Sequence, residues 1–140
     1  MSKMLFQHFC GNDLCSTVDE IKEVLSKNIN GVNEFIISNE NDDTPYLTVL
    51  INGEHAHIYY EPTDEYDSAG FEACGESYGE DDSDGVTIFY TNIPTEEIEI
   101  WNGYVNTKDT ALNVIAEFLN YDEWPVCFED MPLCVQWEEL

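Results

Sequence analysis

The spacing of apolar positions changes period along the chain. Val18, Ile21, Val24 and Leu25 recur at helical intervals, with Asn28 on the same face, and predict a first helix from Val18 to Asn28. Thr17 and Glu20 form a T-x-x-E capping box at its start. Asn30-Gly31 reads as its stop. The period then shortens to two. Phe35 to Ser38, Tyr46 to Ile51, His55 to Tyr60 and Val86 to Thr91 read as strands, and Asn52-Gly53 joins the middle pair as a hairpin. Glu97 to Trp101 alternates charged and apolar residues, so one face is buried and one is wet. Asn102-Gly103 turns the chain into Tyr104 and Val105, a second expected hairpin. A second helix is expected from Lys108 to Leu119, capped by Thr107, with a stripe of Ala111, Leu112, Ile115, Ala116 and Leu119. Leu133 to Trp137 reads as a last strand. Strands joined by tight turns pair antiparallel. The expected fold is α+β, a single domain over residues 1–140 with one antiparallel sheet and two main helices packed on one face.

Composition changes the picture through charge. Apolar residues make up 43% of the chain, so it is expected to fold rather than to be an acidic tail. Its 30 acidic residues are set against four Lys and no Arg, for a formal charge of −26. Phosphate contacts need Lys and Arg, which argues against direct nucleic-acid binding and against anionic membrane surfaces. A magnitude of about 2–8 is enough to keep a small domain soluble. The excess costs stability through self-repulsion and attracts cationic partners. No stretch is apolar enough to span a membrane, and Met1 to Cys10 lacks the pattern of a signal peptide. The expected compartment is the cytoplasm, with Cys10, Cys15, Cys74, Cys127 and Cys134 as reduced thiols.

The charge is densest between Glu61 and Asp84, where ten of 24 residues are Asp or Glu and four are Gly or Pro. This reads as a long acidic loop inserted between two strands. Asp64, Glu65, Asp67, Glu72, Glu76, Glu80, Asp81, Asp82 and Asp84 surround the aromatics Tyr66, Phe71 and Tyr78. Aromatic anchors within carboxylates suit a basic protein surface, so these twelve are the candidate partner-binding residues. A solvated loop with no role is the plainer alternative.

Metal or catalytic chemistry finds less support. An EF-hand frame with Gly85 as its turn glycine would place Glu80, Asp82 and Asp84 as ligands, but puts Thr91 where a bidentate Glu is needed. His8, Cys10 and Cys15, or Cys127 and Cys134, could suggest zinc; buried or free thiols are the commoner explanation. His55 and His57 share a strand face and read as partly exposed sheet residues beside the acidic loop, with a small metal-dependent enzyme as a competing reading. No serine-nucleophile or phosphate-loop motif occurs. No cofactor is expected.

The C-terminal half carries a resemblance. Val105, Thr107, the helix from Ala111-Leu112 to Glu117-Phe118-Leu119, then Pro132, Cys134, Val135, Gln136, Trp137 and Glu138 give an A-L-x-x-(I/A)-x-E-F-L helix and a terminal P-x-C-V-x-W-E. This resembles the closing signature of a family of bacterial immunity proteins encoded beside polymorphic or contact-dependent toxins. The Leu47–Ile51 strand with Asn52-Gly53 resembles the family's middle. Tyr121 to Met131 is an extra stretch relative to that pattern. The resemblance implies a non-enzymatic monomer that forms a heterodimer with a cognate toxin, of nuclease or deaminase type, and occludes its active site. A basic partner is also what the charge alone predicts; a nucleic-acid mimic acting on DNA-binding enzymes is the other reading it allows.

Overall fold

The computed structural model describes residues 3–42, 44–62, 70–75 and 85–140. Ten strands and two helices follow in the order β1 (Met4–His8), β2 (Gly11–Cys15), α1 (Val18–Leu25), β3 (Val32–Asn39), β4 (Tyr46–Asn52), β5 (His55–Glu61), β6 (Phe71–Ala73), β7 (Val86–Tyr90), β8 (Glu97–Trp101), β9 (Asn106–Thr107), α2 (Lys108–Leu119) and β10 (Trp137–Glu139). The main sheet is antiparallel, in the order β10-β6-β5-β4-β3-β1-β2. One edge of β5 is shared: Tyr59 and Tyr60 pair with β6, while His55 and Ala56 pair with β9. β7 and β8 form a separate two-stranded hairpin.

Alternation along the strands sends Met4, Phe6, Phe35, Ile37, Leu47, Val49, Ile58 and Tyr60 to one face, all of them fully buried. The two helices belong to the same core. α1 contributes Ile21, Val24 and Leu25, and α2 contributes Ala111, Val114, Ile115 and Phe118. Each such side chain contributes about 2 kcal/mol through burial. The α+β arrangement is therefore as expected, although the inward stripe of α2 includes Val114 and Phe118, while Leu112, Ala116 and Leu119 are half-buried.

Both helix starts follow their caps. Thr17 accepts from the Glu20 N–H at 3.2 Å, and Thr107 accepts from the Thr110 N–H at 3.2 Å. Glu20 closes its box one residue early, accepting from the Ser16 N–H at 3.0 Å. Those bonds hold its carboxyl below the usual range. α1 stops at Leu25, short of the expected Asn28. The Asn30-Gly31 pair serves a tight turn instead: both residues have positive φ, 55° and 87°, while Ile29 and Val32 exchange hydrogen bonds at 2.9 and 3.1 Å.

The expected Asn52-Gly53 hairpin forms. Asn52 pairs with His55, so Gly53 at φ 60° and Glu54 occupy the turn. The second expected hairpin does not form: Asn102–Tyr104 is a 3-10 turn, and β8 pairs backwards with β7. The last strand begins only at Trp137, because Leu133 is 96% exposed and lies outside the sheet. The N-terminal segment, which carried no strand signal, supplies β1 and β2.

The hairpin lies over the sheet face opposite the helices. Phe89 and Val105 bury Leu50 there, with Ile100 beside them. The Asn52 Nδ2 donates to the Ile88 carbonyl at 2.9 Å. Glu34 accepts from the Thr91 hydroxyl and from the Asn92 N–H, tying the β7–β8 connection down.

Candidate functional site

Ten of the twelve candidate partner-binding residues lie outside the described residues: Asp64, Glu65, Tyr66, Asp67, Glu76, Tyr78, Glu80, Asp81, Asp82 and Asp84. Phe71 and Glu72 are described, and they correct the reading of the whole stretch as a loop. They belong to β6, which joins β5 to β10. Phe71 is 2% exposed, near-parallel to Tyr60 at 6.3 Å and tilted against Phe128 at 6.3 Å. It is a core side chain and has no free face to offer a partner. The reason is the period of two in Phe71-Glu72-Ala73, which turns Phe71 and Ala73 inward and Glu72 to the opposite face.

Glu72 is already engaged. Its Oε2 lies 2.5 Å from the Nε2 of His57. His57 is 7% exposed, so its expected position as a partly exposed sheet residue is corrected; Phe89 of the covering hairpin lies 6.5 Å away, ring to ring. The other ring nitrogen, Nδ1, is buried with no hydrogen-bond partner among the described residues. One strand position further, the Tyr59 hydroxyl donates to Glu61. Burial and that bond push the phenol well above its ordinary range. Of these two pairs, His57–Glu72 ties β6 to β5, while Tyr59–Glu61 lies within β5.

Gly75 and Gly85, the described residues on either side of 76–84, meet the same turn at Asn102–Tyr104. The Gly75 N–H donates to the Gly103 carbonyl at 2.7 Å, and the Asn102 N–H donates to the Gly85 carbonyl at 2.9 Å. Gly75 is required there, since a Cβ would come within 2.1 Å of the Val105 backbone.

The metal candidates separate. His8 bonds to Asp13 at 2.8 Å, and Lys27 holds the same carboxylate at 2.9 Å. Those two bonds, Lys27 first, lower the Asp13 pKa. Cys15 is buried, which pushes its thiol up to about 11; Cys10 is exposed. The Cys127 thiol donates to Asp130 at 3.1 Å, which raises it. Cys74 and Cys134 line one open cavity of about 440 Å³ with Asn106 and Thr107, and burial raises both thiols. Thiols with raised pKa values are poor nucleophiles at neutral pH. Among the described residues no group of three His, Cys, Asp or Glu could hold a metal ion. No helix among them is long and apolar enough to cross a membrane.

The structure also exposes residues that the pattern reading left aside. Trp101 is 48% exposed, with Tyr104 edge-on at 5.3 Å. The alternation carried the signal: with Ile98 and Ile100 assigned inward, Trp101 falls on the same outward face as Glu97 and Glu99. No family model matches the sequence, and a search of curated proteins finds no match.

Proposed function

We propose that this chain is an immunity protein: it binds a basic toxin domain that acts on nucleic acid, and neutralises it by occupying the cleft where the substrate would lie. The observation that carries this reading is a charge of −26, with four Lys and no Arg, on a chain with a well-packed core. Enzymes that act on nucleic acid present basic clefts, and an acidic surface of comparable field is complementary to them. The carboxylates between Glu61 and Asp84 supply steering, and no chemistry by this chain and no cofactor is needed. The resemblance of the C-terminal helix and closing P-x-C-V-x-W-E to immunity proteins points the same way. In this reading the protein works in the cytoplasm, as a monomer that becomes one half of a heterodimer.

The test is inhibition of a purified basic toxin domain of nuclease or deaminase type, chosen from any toxin gene found to neighbour this one. Stoichiometric loss of its nuclease or deaminase activity, with binding that weakens steeply as salt rises, is the expected result. Unchanged activity with the chain in excess would overturn the proposal. Equal inhibition of several unrelated DNA-binding enzymes would replace it with a general nucleic-acid mimic.

A further inference from the structure

The β7–β8 hairpin has two unlike faces. Directly opposed residues of an antiparallel pair share a face. Phe89 with Ile98 and Thr87 with Ile100 face the main sheet, and Phe89 is fully buried there. Val86 with Trp101, Ile88 with Glu99 and Tyr90 with Glu97 face away from it. Nothing among the described residues covers that outward face: Val86 is 53% and Trp101 48% exposed.

Trp101 is held in place without being buried. Its indole lies across Gly103, where an added Cβ would come within 2.4 Å of the ring. Tyr104 packs edge-on against it, and the Tyr104 hydroxyl donates to Glu138. That bond, with burial, pushes the phenol up to about 12. An anchor fixed before binding loses little conformational freedom on binding. Trp and Tyr are the residues most enriched where interface energy concentrates.

The charge around this anchor has one sign. Residues 85–107 include Glu96, Glu97 and Glu99 but no Lys, Arg or His. The four Lys lie elsewhere: Lys22 in α1, Lys27 just beyond it on Asp13, Lys108 at the start of α2 and Lys3 ahead of β1. At the same corner the Gly75 N–H donates to the Gly103 carbonyl and the Asn102 N–H to the Gly85 carbonyl.

We infer that the outward face of the β7–β8 hairpin, with Trp101 as the aromatic anchor at its open end and Glu97 and Glu99 further along β8, is a docking surface for a basic protein partner. This assignment rests on the reading of the chain as a binder of a basic protein. The complementary surface on the partner is an apolar recess that takes the indole, ringed by Lys and Arg that meet Glu97, Glu99 and Glu138.

Trp101 also reports on its own occupancy, because Trp124 and Trp137 are only 6% and 7% exposed. The experiment uses the full chain and, as the probe, a catalytically inactive form of the toxin domain whose inhibition tests the proposed function. Affinity is measured for Trp101→Ala, for Glu97→Lys/Glu99→Lys, and for Glu23→Lys/Glu117→Lys, which changes net charge equally on exposed helix positions. Circular dichroism confirms that each variant is folded. Trp101→Ala and the hairpin reversal are expected to weaken binding about 30-fold or more, the scale of an interface hot spot. The helix reversal is expected to change it less than about 3-fold, and acrylamide quenching of Trp101 is expected to fall in the complex. If the wild-type chain binds while both hairpin variants bind equally well and Trp101 stays quenchable, the surface assignment fails and the proposed function stands. If the wild-type chain forms no complex with the toxin domain, both fail together.

Discussion

Replacing Phe71 with alanine separates a core role from a surface role, because the two predict effects of different size. The ring is 2% exposed and packs on Tyr60 and Phe128 between β5 and β10. Truncating a fully buried Phe costs about 3–5 kcal/mol through lost transfer energy and the cavity left behind. Phe128 is 48% exposed and free to settle into part of that cavity, which places the expected loss at the lower end, about 3 kcal/mol. In a domain of this length that is a fall in Tm of about 10 °C. Urea unfolding followed by the emission of the buried Trp124 and Trp137 measures it, with an unchanged m-value as evidence that both states keep their compactness. Affinity for the proposed toxin partner, taken at a temperature where both proteins are folded, is expected to stay the same. A loss below about 0.5 kcal/mol, the scale of an ordinary surface change, would refute the core assignment. Were that small loss joined by a large drop in affinity, Phe71 would be the aromatic anchor that its acidic surroundings suggest.

Two further outcomes follow from charge. With a net −26, self-repulsion is spread over the whole surface, so Tm is expected to rise as sodium chloride shortens the screening length below about 10 Å; a flat or falling Tm would refute that repulsion limits stability. Asp13 has its folded pKa below the ordinary 3.8 because Lys27 and His8 bond to it, so it contributes stability above that value and loses it as pH falls through the folded pKa. Asp13→Asn is therefore expected to be less stable than the parent at neutral pH, with the Tm gap shrinking as pH falls through the folded pKa of Asp13, and a gap that stays constant as the pH is lowered would refute the linkage.

Much of the fold can be read from the sequence where a period persists and a cap marks its end. The helix Lys108–Leu119 combines both, and its bounds are as predicted. β4 and β5 read clearly because seven-residue strands flank a turn glycine. The failures share physical causes. β6 is three residues long, too short for a period of two to stand out among carboxylates. β2 is an edge strand whose residues are mostly exposed or half-exposed, so burial imposes no pattern on it. Leu133, Val135 and Trp137 alternate like a strand, yet Trp137 alone enters the sheet, held through its indole N–H to the Pro132 carbonyl at 3.0 Å. The pairing of His57 with Glu72 joins residues on different strands, and no local spacing encodes it. Trp101 was legible by parity but was outweighed by the concentration of charge in the preceding segment.

The order of strands has a consequence for self-association. The longest strands, β3, β4 and β5, occupy the middle of the main sheet, where both neighbours are hydrogen-bonded. The two outer strands are short and polar: β2 is five residues and carries Asp13, and β10 is three residues and ends in exposed Glu138 and Glu139. An edge of that kind is a poor template for another copy, because each added strand would bring like charges together. The apolar central strands of the main sheet are thereby kept from intermolecular pairing for as long as their neighbours stay in place. The folded protein can then reach high concentration without this sheet propagating from one molecule to the next.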